Sequence, residues 1–199
     1  MTKRLGRLPG ATISPDGSSV VFAGDDALYS VDLGGGRPVV LLEAGSRWLD
    51  AFGSVEGTSV YAPTFSPDGT QIAYVDGVGD HSHSVWVMNA DGSNAHQIVN
   101  NEWTDVGGFV SGLAWSPAGD RIALGVADAT YTFATDGSSF TRVTTYGDRP
   151  YWSPDGSQLA YGIPCGQHES GCTLEIAEAD SANVREVGFG SSGPWHPGD

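Results

Sequence analysis

A four-residue motif, Ser-Pro-Asp-Gly, recurs along the chain and constrains the fold more than any other feature of the sequence. It stands at Ser14–Gly17, Ser66–Gly69 and Ser153–Gly156, and Ala replaces Asp in a further copy at Ser116–Gly119. Proline presets φ for the second position of a type I turn, Asp suits the third position, and Gly relieves strain at the fourth. A short apolar run precedes each turn and an alternating run follows it, which predicts a β-hairpin at each copy.

The spacing of the motif indicates a repeat protein. Successive serines are 52, 50 and 37 residues apart, and Trp195-His196-Pro197-Gly198 is similar to a truncated fifth copy. Each unit also contains a second strand pair joined by a Gly- or Asp-rich turn, such as Ala90-Asp91-Gly92-Ser93. Units of this size with four short strands are typical of propeller blades. No stretch keeps a helical period for three turns, so we expect almost no helix.

We therefore predict an all-β fold, a β-propeller of four-stranded antiparallel blades with about four complete blades and a partial one. The predicted blades cover residues 10–44, 61–100, 112–146 and 149–188, with a partial inner strand at 194–199, all within one propeller segment of residues 1–199. This count suggests an open arc or a segment of a larger ring, and a closed ring of four or five blades is the alternative. An arc would expose apolar blade faces, so we expect self-association through them.

Charge narrows the choice of partners. The formal net charge is −15, and Lys3 is the only lysine. Such a chain should repel nucleic acid and anionic membranes, so a neutral or basic partner is expected. No apolar run of 18 residues occurs, so we expect no membrane insertion. Lys3 and Arg4 are not followed by the apolar segment of a signal peptide.

Strand alternation predicts where a binding site would lie. Both kinds of tight turn fall at one end of each blade, here called the turn end, and the variable connections fall at the other, here called the loop end. Function collects on variable loops over a rigid scaffold, and aromatic residues favour partner contacts. The candidate binding residues in these connections are Trp48, His81, His83, Trp103, Asp105 and Tyr146. The alternative for Trp48 and Trp103 is that they fold back over the blades as caps.

Metal binding and catalysis have little support in the sequence. His81, His83 and Asp80 could ligate zinc, but no fourth ligand is evident at a useful spacing, so no metal site is expected. Neither a phosphate-binding loop nor a Gly-x-Ser-x-Gly nucleophile elbow occurs. We therefore predict no catalytic residues and no cofactor.

Cys165 and Cys172 are the only two cysteines. They bracket the mouth of the second hairpin in the fourth unit, where diverging strands could bring their side chains to disulfide distance. Their spacing does not fit zinc or thioredoxin-like motifs. A disulfide would place the protein outside the reducing cytoplasm, and two unrelated buried thiols are the alternative.

The repeat resembles the WD-type repeat of the TolB-family β-propellers. The resemblance rests on an aromatic residue before Ser-Pro-Asp-Gly, then Ile-Ala-Tyr, then Val-Trp-Val-Met-Asn-Ala-Asp-Gly-Ser-Asn, and residues 62–99 fit nearly throughout. It implies a propeller fold and a non-catalytic, extracytoplasmic scaffold for a protein or peptide. TolB has a further N-terminal domain and six blades, which this sequence does not match. Similar repeats form the gating propeller of prolyl-oligopeptidase-type hydrolases, which is the main alternative. Catalysis on the propeller itself is a third.

Overall fold

The described part of the chain consists of β-strands joined by turns and loops. The computed structural model describes residues 10–24, 27–44, 46–49, 55–78, 82–99, 110–126, 129–144, 147–163, 173–179 and 184–189. No helix occurs in these ranges, as expected from the absence of helical periodicity. The chain divides into two compact units, Met1–Gly108 and Phe109–Asp199, which are described separately.

The first unit contains two antiparallel sheets. The first sheet has its four strands in chain order: β1 (Ala11–Ile13), β2 (Ser19–Ala23), β3 (Ala27–Asp32) and β4 (Val39–Glu43). The second sheet has five strands, also in chain order: β5 (Ser46–Leu49), β6 (Val55–Phe65), β7 (Gln71–Val78), β8 (Ser82–Asn89) and β9 (His96–Val99). Within each sheet, every strand after the first is therefore hydrogen-bonded to the strand that precedes it.

The second unit contains two further antiparallel sheets. The third sheet is formed by β10 (Val110–Trp115), β11 (Arg121–Val126), β12 (Ala129–Ala134) and β13 (Thr141–Thr144). The fourth sheet is formed by β14 (Asp148–Trp152), β15 (Gln158–Ile163), β16 (Thr173–Glu178) and β17 (Val184–Phe189). Each sheet again keeps its strands in chain order, so its tight turns and its longer connections lie at opposite ends.

The Ser-Pro-Asp-Gly motif forms the first turn of each sheet. In the second sheet the Gly69 N–H donates to the Ser66 carbonyl at 2.9 Å, and the Ser66 N–H donates to the Gln71 carbonyl at 2.9 Å. Gly69 has a φ of 72°, and the glycines of the other three copies have φ between 71° and 76°. A side chain is strained in this left-handed region, which explains why glycine closes every copy.

Each unit buries apolar side chains between its two sheets. In the first unit, Val21, Ala23 and Leu28 of the first sheet cluster with Ile72, Tyr74 and Met88 of the second. In the second unit, Ala123 and Val143 of the third sheet cluster with Trp152, Leu159 and Tyr161 of the fourth. A small antiparallel sheet cannot bury both faces alone, and stacking on another sheet supplies the missing cover.

Two connections differ from the sequence-based expectation. Residues 44–60 were expected to be a loop, whereas β5 pairs with the first half of an extended β6, with Ser46 opposite Gly57 and Leu49 opposite Val55. Among the described residues, this extra strand pair occurs only in the second sheet, so the periodicity could not indicate it. The expected loop from Asp76 to Ser84 is also shorter, because β7 and β8 pair as far as Val78 and Ser82.

Candidate functional site

A tyrosine–histidine pair lies at the loop end of the second sheet. The Tyr61 hydroxyl is 3.0 Å from His83 Nδ1, and the two rings meet edge to face with centroids 6.1 Å apart. His83 is 3% exposed, although it lies one residue from the start of β8. The imidazole is therefore part of the packed sheet end, with a tautomer set by its hydrogen-bond partners.

Gly77 makes room for this pair. It lies directly opposite His83 in the β7–β8 ladder. A Cβ at position 77 would stand 2.8 Å from His83 Nδ1 and 3.3 Å from Tyr61 Cε1. The imidazole thus lies across the backbone of β7 where any larger residue would collide with it. Glycine at position 77 is therefore required by the packing of the imidazole against β7.

A second set of polar groups lies on the opposite face of the same strands. The Trp86 indole N–H donates to Ser84 Oγ at 2.9 Å, and Ser84 Oγ donates to the Asp76 carbonyl at 3.3 Å. Burial, and to a smaller extent the charge of Asp76, raises the pKa of the Tyr74 phenol. These bonds link the ends of β7 and β8, from which the connection between the two strands leaves.

The fourth sheet buries a carboxylate at its loop end. The Tyr161 hydroxyl donates to Glu175 Oε2 at 3.1 Å, and Glu175 is only 9% exposed. Burial, followed by the nearby Glu175 charge, raises the pKa of Tyr161. The residue at this register position is aromatic in the other three sheets, where Tyr29, Trp86 and Tyr131 lie opposite the second strand. Glu175 is thus the one acidic member of the set.

The turn ends carry carboxylates that are held by their own turns. The hydroxyl of Ser153 donates to Asp155 Oδ1 at 2.6 Å, and the N–H and hydroxyl of Ser157 donate to the same oxygen. These bonds lower the pKa of Asp155 from 3.8 to about 2, and the matching bonds around Asp16 have the same effect there. The carboxylates therefore act as turn acceptors, which leaves them poorly suited to proton transfer near neutral pH.

In the third turn, a carboxylate at a different position accepts the hydrogen bond from the serine hydroxyl. Position 118 is alanine, and Ser116 Oγ donates instead to Asp120 Oδ1 at 2.8 Å. Asp120 occupies the place that Ser18, Thr70 and Ser157 hold in the other copies. The acceptor has moved two residues along the chain while the backbone turn, with Gly119 N–H donating to Ser116 O at 2.9 Å, stays the same.

A polar cavity lies at the turn end of the second unit. It has a volume of about 280 Å³ and is lined by Arg121, Gly156, Ser157, Gln158, Glu178 and Ala179. Arg121 Nη2 donates to Thr132 Oγ1 at 2.7 Å and to the Ala179 carbonyl at 3.1 Å. The guanidinium also stands 5.8 Å from the centre of the Trp152 ring. These contacts join the third sheet to the fourth, so Arg121 has a structural role that its position in the sequence did not indicate.

The residues that the sequence singled out fall in different places. His83 is buried in β8 rather than displayed on a loop, because β8 begins earlier than expected. Trp48 belongs to β5. His81, Trp103, Asp105, Tyr146, Cys165 and Cys172 lie outside the described residues. Tyr61, Glu175 and Arg121 were missed. Only the departure of Glu175 from an otherwise aromatic position could have been noticed in the sequence.

The described residues contain neither a candidate metal site nor a candidate membrane-spanning helix. Within these ranges, no three His, Cys, Asp or Glu side chains are grouped so that they could hold a metal ion. The same part of the chain contains no helix long and apolar enough to cross a membrane.

Comparison with known proteins gives one relative of known sequence and several similar structures. The chain is 30% identical over 137 residues to the uncharacterized peptidase YuxL of Bacillus subtilis (strain 168). The match covers 65% of this chain and 21% of YuxL, so the chain spans about a fifth of that protein. No protein-family model matches the sequence.

Two solved structures show the same fold. TolB from Acinetobacter baumannii superimposes with a TM-score of 0.68 and 16% identity, over 96% of this chain and 46% of TolB. An oligogalacturonate lyase in complex with manganese also gives 0.68 and 16%, over 94% of this chain and 54% of the lyase. The predicted fold class is confirmed: the chain is an all-β propeller built from antiparallel blades, with TolB among its structural neighbours.

Proposed function

We propose that this chain is a non-catalytic β-propeller scaffold that binds a protein or peptide through the connections at its loop end. The observation that carries the proposal is that the two ends of each sheet differ: the turn end is closed by its own hydrogen bonds, and the longer connections leave from the loop end. Turn-end side chains such as Ser66, Asp68 and Ser153 are committed to hydrogen bonds within their own turns. The longer connections leave from the other end, where the sequence concentrates its candidate contact residues.

The buried polar groups at the loop end support a scaffold role. His83 is bonded to Tyr61, and Glu175 accepts from Tyr161. His83, Tyr161 and Glu175 are each at most 9% exposed and Tyr61 is half-buried, so a substrate has little access to these groups. Groups placed in this way anchor the loops rather than perform acid–base chemistry on a bound molecule.

The net charge bears on the kind of partner, and the proposed disulfide bears on the location of the protein. A net charge of −15 favours a neutral or basic protein or peptide over nucleic acid. The likeness to TolB and the proposed Cys165–Cys172 disulfide favour an extracytoplasmic protein. A mass measurement with and without reductant tests the proposed Cys165–Cys172 disulfide. An unbridged pair after oxidation would remove the argument for that location.

Selection from a random peptide library displayed on phage tests the binding role. We expect enriched peptides to lose affinity by about tenfold or more when Trp48 or Trp103 is replaced by alanine, because buried aromatic residues dominate peptide contacts. Asp91→Asn and Asp136→Asn at the turn end are the matched controls and should leave affinity unchanged. If no peptide is enriched, or if only the turn-end variants weaken binding, the proposed function fails.

Incubation of the purified chain with oligogalacturonate and Mn²⁺ tests the absence of catalysis, because one structural neighbour is an oligogalacturonate lyase in complex with manganese. We expect no turnover from a binding scaffold. Consumption of the substrate would contradict the non-catalytic role.

A second candidate function is the gating propeller of a peptidase whose catalytic domain lies elsewhere. It is favoured by the 30% identity to the peptidase YuxL, of which this chain matches only a part. The complete reading frame distinguishes the two candidates. A hydrolase domain with a Gly-x-Ser-x-Gly motif in the same polypeptide would favour gating, and its absence would favour the free-standing scaffold.

A further inference from the structure

Arg149 stands at a backbone position where the other repeats carry almost no side chain. The position lies four residues before the serine of each turn motif, and its other occupants are Gly10, Ala62 and Gly112. Arg149 has a φ of 49°, and Gly10 and Ala62 are also in the left-handed region, with φ of 101° and 52°. Glycine adopts this conformation freely, whereas a residue with a side chain is strained there. The local backbone therefore does not account for an arginine at this position.

The Arg149 side chain is exposed, and its guanidinium is not engaged by the described part of the chain. The Arg149 backbone N–H donates to Ser111 Oγ on the neighbouring strand β10 at 3.2 Å. By contrast, Arg121 and Arg142 each donate to a main-chain carbonyl and lie over an aromatic ring. Among the described residues, no carboxylate, carbonyl or ring makes such a contact with the Arg149 guanidinium. Its N–H donors are therefore available to a ligand.

Arg149 lies at the loop end of the fourth sheet. It is the second residue of β14 and follows the connection that contains the candidate contact residue Tyr146. On β10 the corresponding residue is Gly112, and an added Cβ there would meet no atom within 4 Å. Open space therefore lies one residue from Ser111, the residue that holds the backbone of Arg149. A ligand group has room at this point of the loop end.

We infer that Arg149 binds a carboxylate side chain of the bound peptide, which therefore carries Asp or Glu at one fixed position. This inference rests on the proposed peptide-binding function and specifies the chemistry of one contact. A guanidinium donates parallel hydrogen bonds to a carboxylate, and charge-assisted bonds of this kind are among the stronger ones in proteins. A net charge of −15 disfavours further acidic groups in the peptide. Arg149 thus selects an acidic residue within an otherwise neutral or basic peptide.

Arg149→Gly separates a binding role from a structural one. Because glycine suits a φ of 49°, the urea midpoint of this variant should not fall. Its affinity for a library-selected peptide should fall by about tenfold or more, since a charged hydrogen-bonded pair is lost. Ala62→Gly is the matched control, because it makes the same backbone change at a φ of 52° without removing a charge, and it should leave the affinity unchanged. A lower midpoint with unchanged affinity in Arg149→Gly would overturn the inference.

Replacement of the acidic residue of the selected peptide by its amide tests the same contact from the other side. If this residue pairs with Arg149, the amide peptide should bind the parent chain about tenfold more weakly and should lose no further affinity on Arg149→Gly. Two results would contradict the pairing: enriched peptides that contain neither Asp nor Glu, and an equal loss of affinity on both chains.

Titration with glutarate tests Arg149 without a peptide, followed by the NMR signals of the arginine Nε–H groups. We expect the Arg149 signal to shift, whereas the signal of Arg37, which is exposed between β3 and β4, should stay. The uncharged analogue glutaramide should shift neither signal. An Arg149 signal that glutarate does not move, or an equal shift at Arg37, would overturn the inference even if peptides bind. A shift confined to Arg149 without any enriched peptide would support the carboxylate site and contradict the proposed function.

Discussion

At the scale of single residues, the turn carboxylates link the repeat motif to acid stability. The pKa of Asp16 and of Asp155 falls from 3.8 to about 2 because turn hydroxyls and amides donate to each carboxylate. A depressed pKa in the folded state stabilises the fold above the unfolded-state pKa, and this contribution is lost as pH falls towards 2. We therefore expect the urea midpoint to drop between about pH 5 and about pH 2.

The double variant Asp16→Asn/Asp155→Asn isolates this effect. Asparagine keeps an acceptor oxygen for the turn but does not titrate, so the midpoint of the variant should depend less on pH over the same range. A pH dependence identical to that of the parent chain would show that these two carboxylates are not responsible.

Gly77 is the second residue whose role can be tested directly. Gly77→Ala would place a Cβ 2.8 Å from His83 Nδ1, and the packed strands leave the imidazole little room to shift. We expect a loss of about 1–3 kcal/mol in the free energy of unfolding, measured by urea denaturation. Gly112→Ala is the control, since no atom lies within 4 Å of its added Cβ. Equal stability of the two variants would contradict the conclusion that a side chain at position 77 collides with His83.

At the scale of elements, Arg121 joins the third sheet to the fourth. Its counterparts in the second and fourth repeats are Gln71 and Gln158, so Arg121→Gln restores the residue that the repeat uses elsewhere. Because the bonds to Thr132 and Ala179 would be lost, we expect destabilisation by about 1–3 kcal/mol. Arg142→Gln is a suitable control, because exposed Arg142 donates to the Thr144 carbonyl of its own strand rather than to another sheet, and it should change stability by less than about 0.5 kcal/mol. If Arg121→Gln left the free energy of unfolding unchanged, packing alone would hold these two sheets together.

The elements also show what periodicity could and could not predict. The turns at Ser66 and Ser153 and the strands around them follow from local chemistry that repeats, so the sequence predicted them. The β5 hairpin has no counterpart in the part of the chain that the structure describes, so a repeating pattern could not predict its pairing with β6. The burial of His83 was equally hidden, because it requires Gly77 on the neighbouring strand to lie directly opposite. Loop-end residues are the least repetitive part of the chain, which is why the candidate site was predicted less well than the fold.

At the scale of the whole molecule, we propose different tasks for the two ends of each sheet. Turn ends are closed by their own hydrogen bonds, and loop ends rest on buried pairs such as Tyr61 with His83. Apolar stacking between sheets makes both ends rigid.

Hydrogen–deuterium exchange of the chain with and without a library-selected peptide shows which end of the sheets binds the peptide. We predict that the peptide slows exchange in the loop-end connections, at residues 79–81, 101–109 and 164–172. We predict no change in the turn-end segments Ser66–Gly69 and Ser153–Gly156. Slower exchange confined to those turns, with the connections unaffected, would contradict the assignment of binding to the loop end.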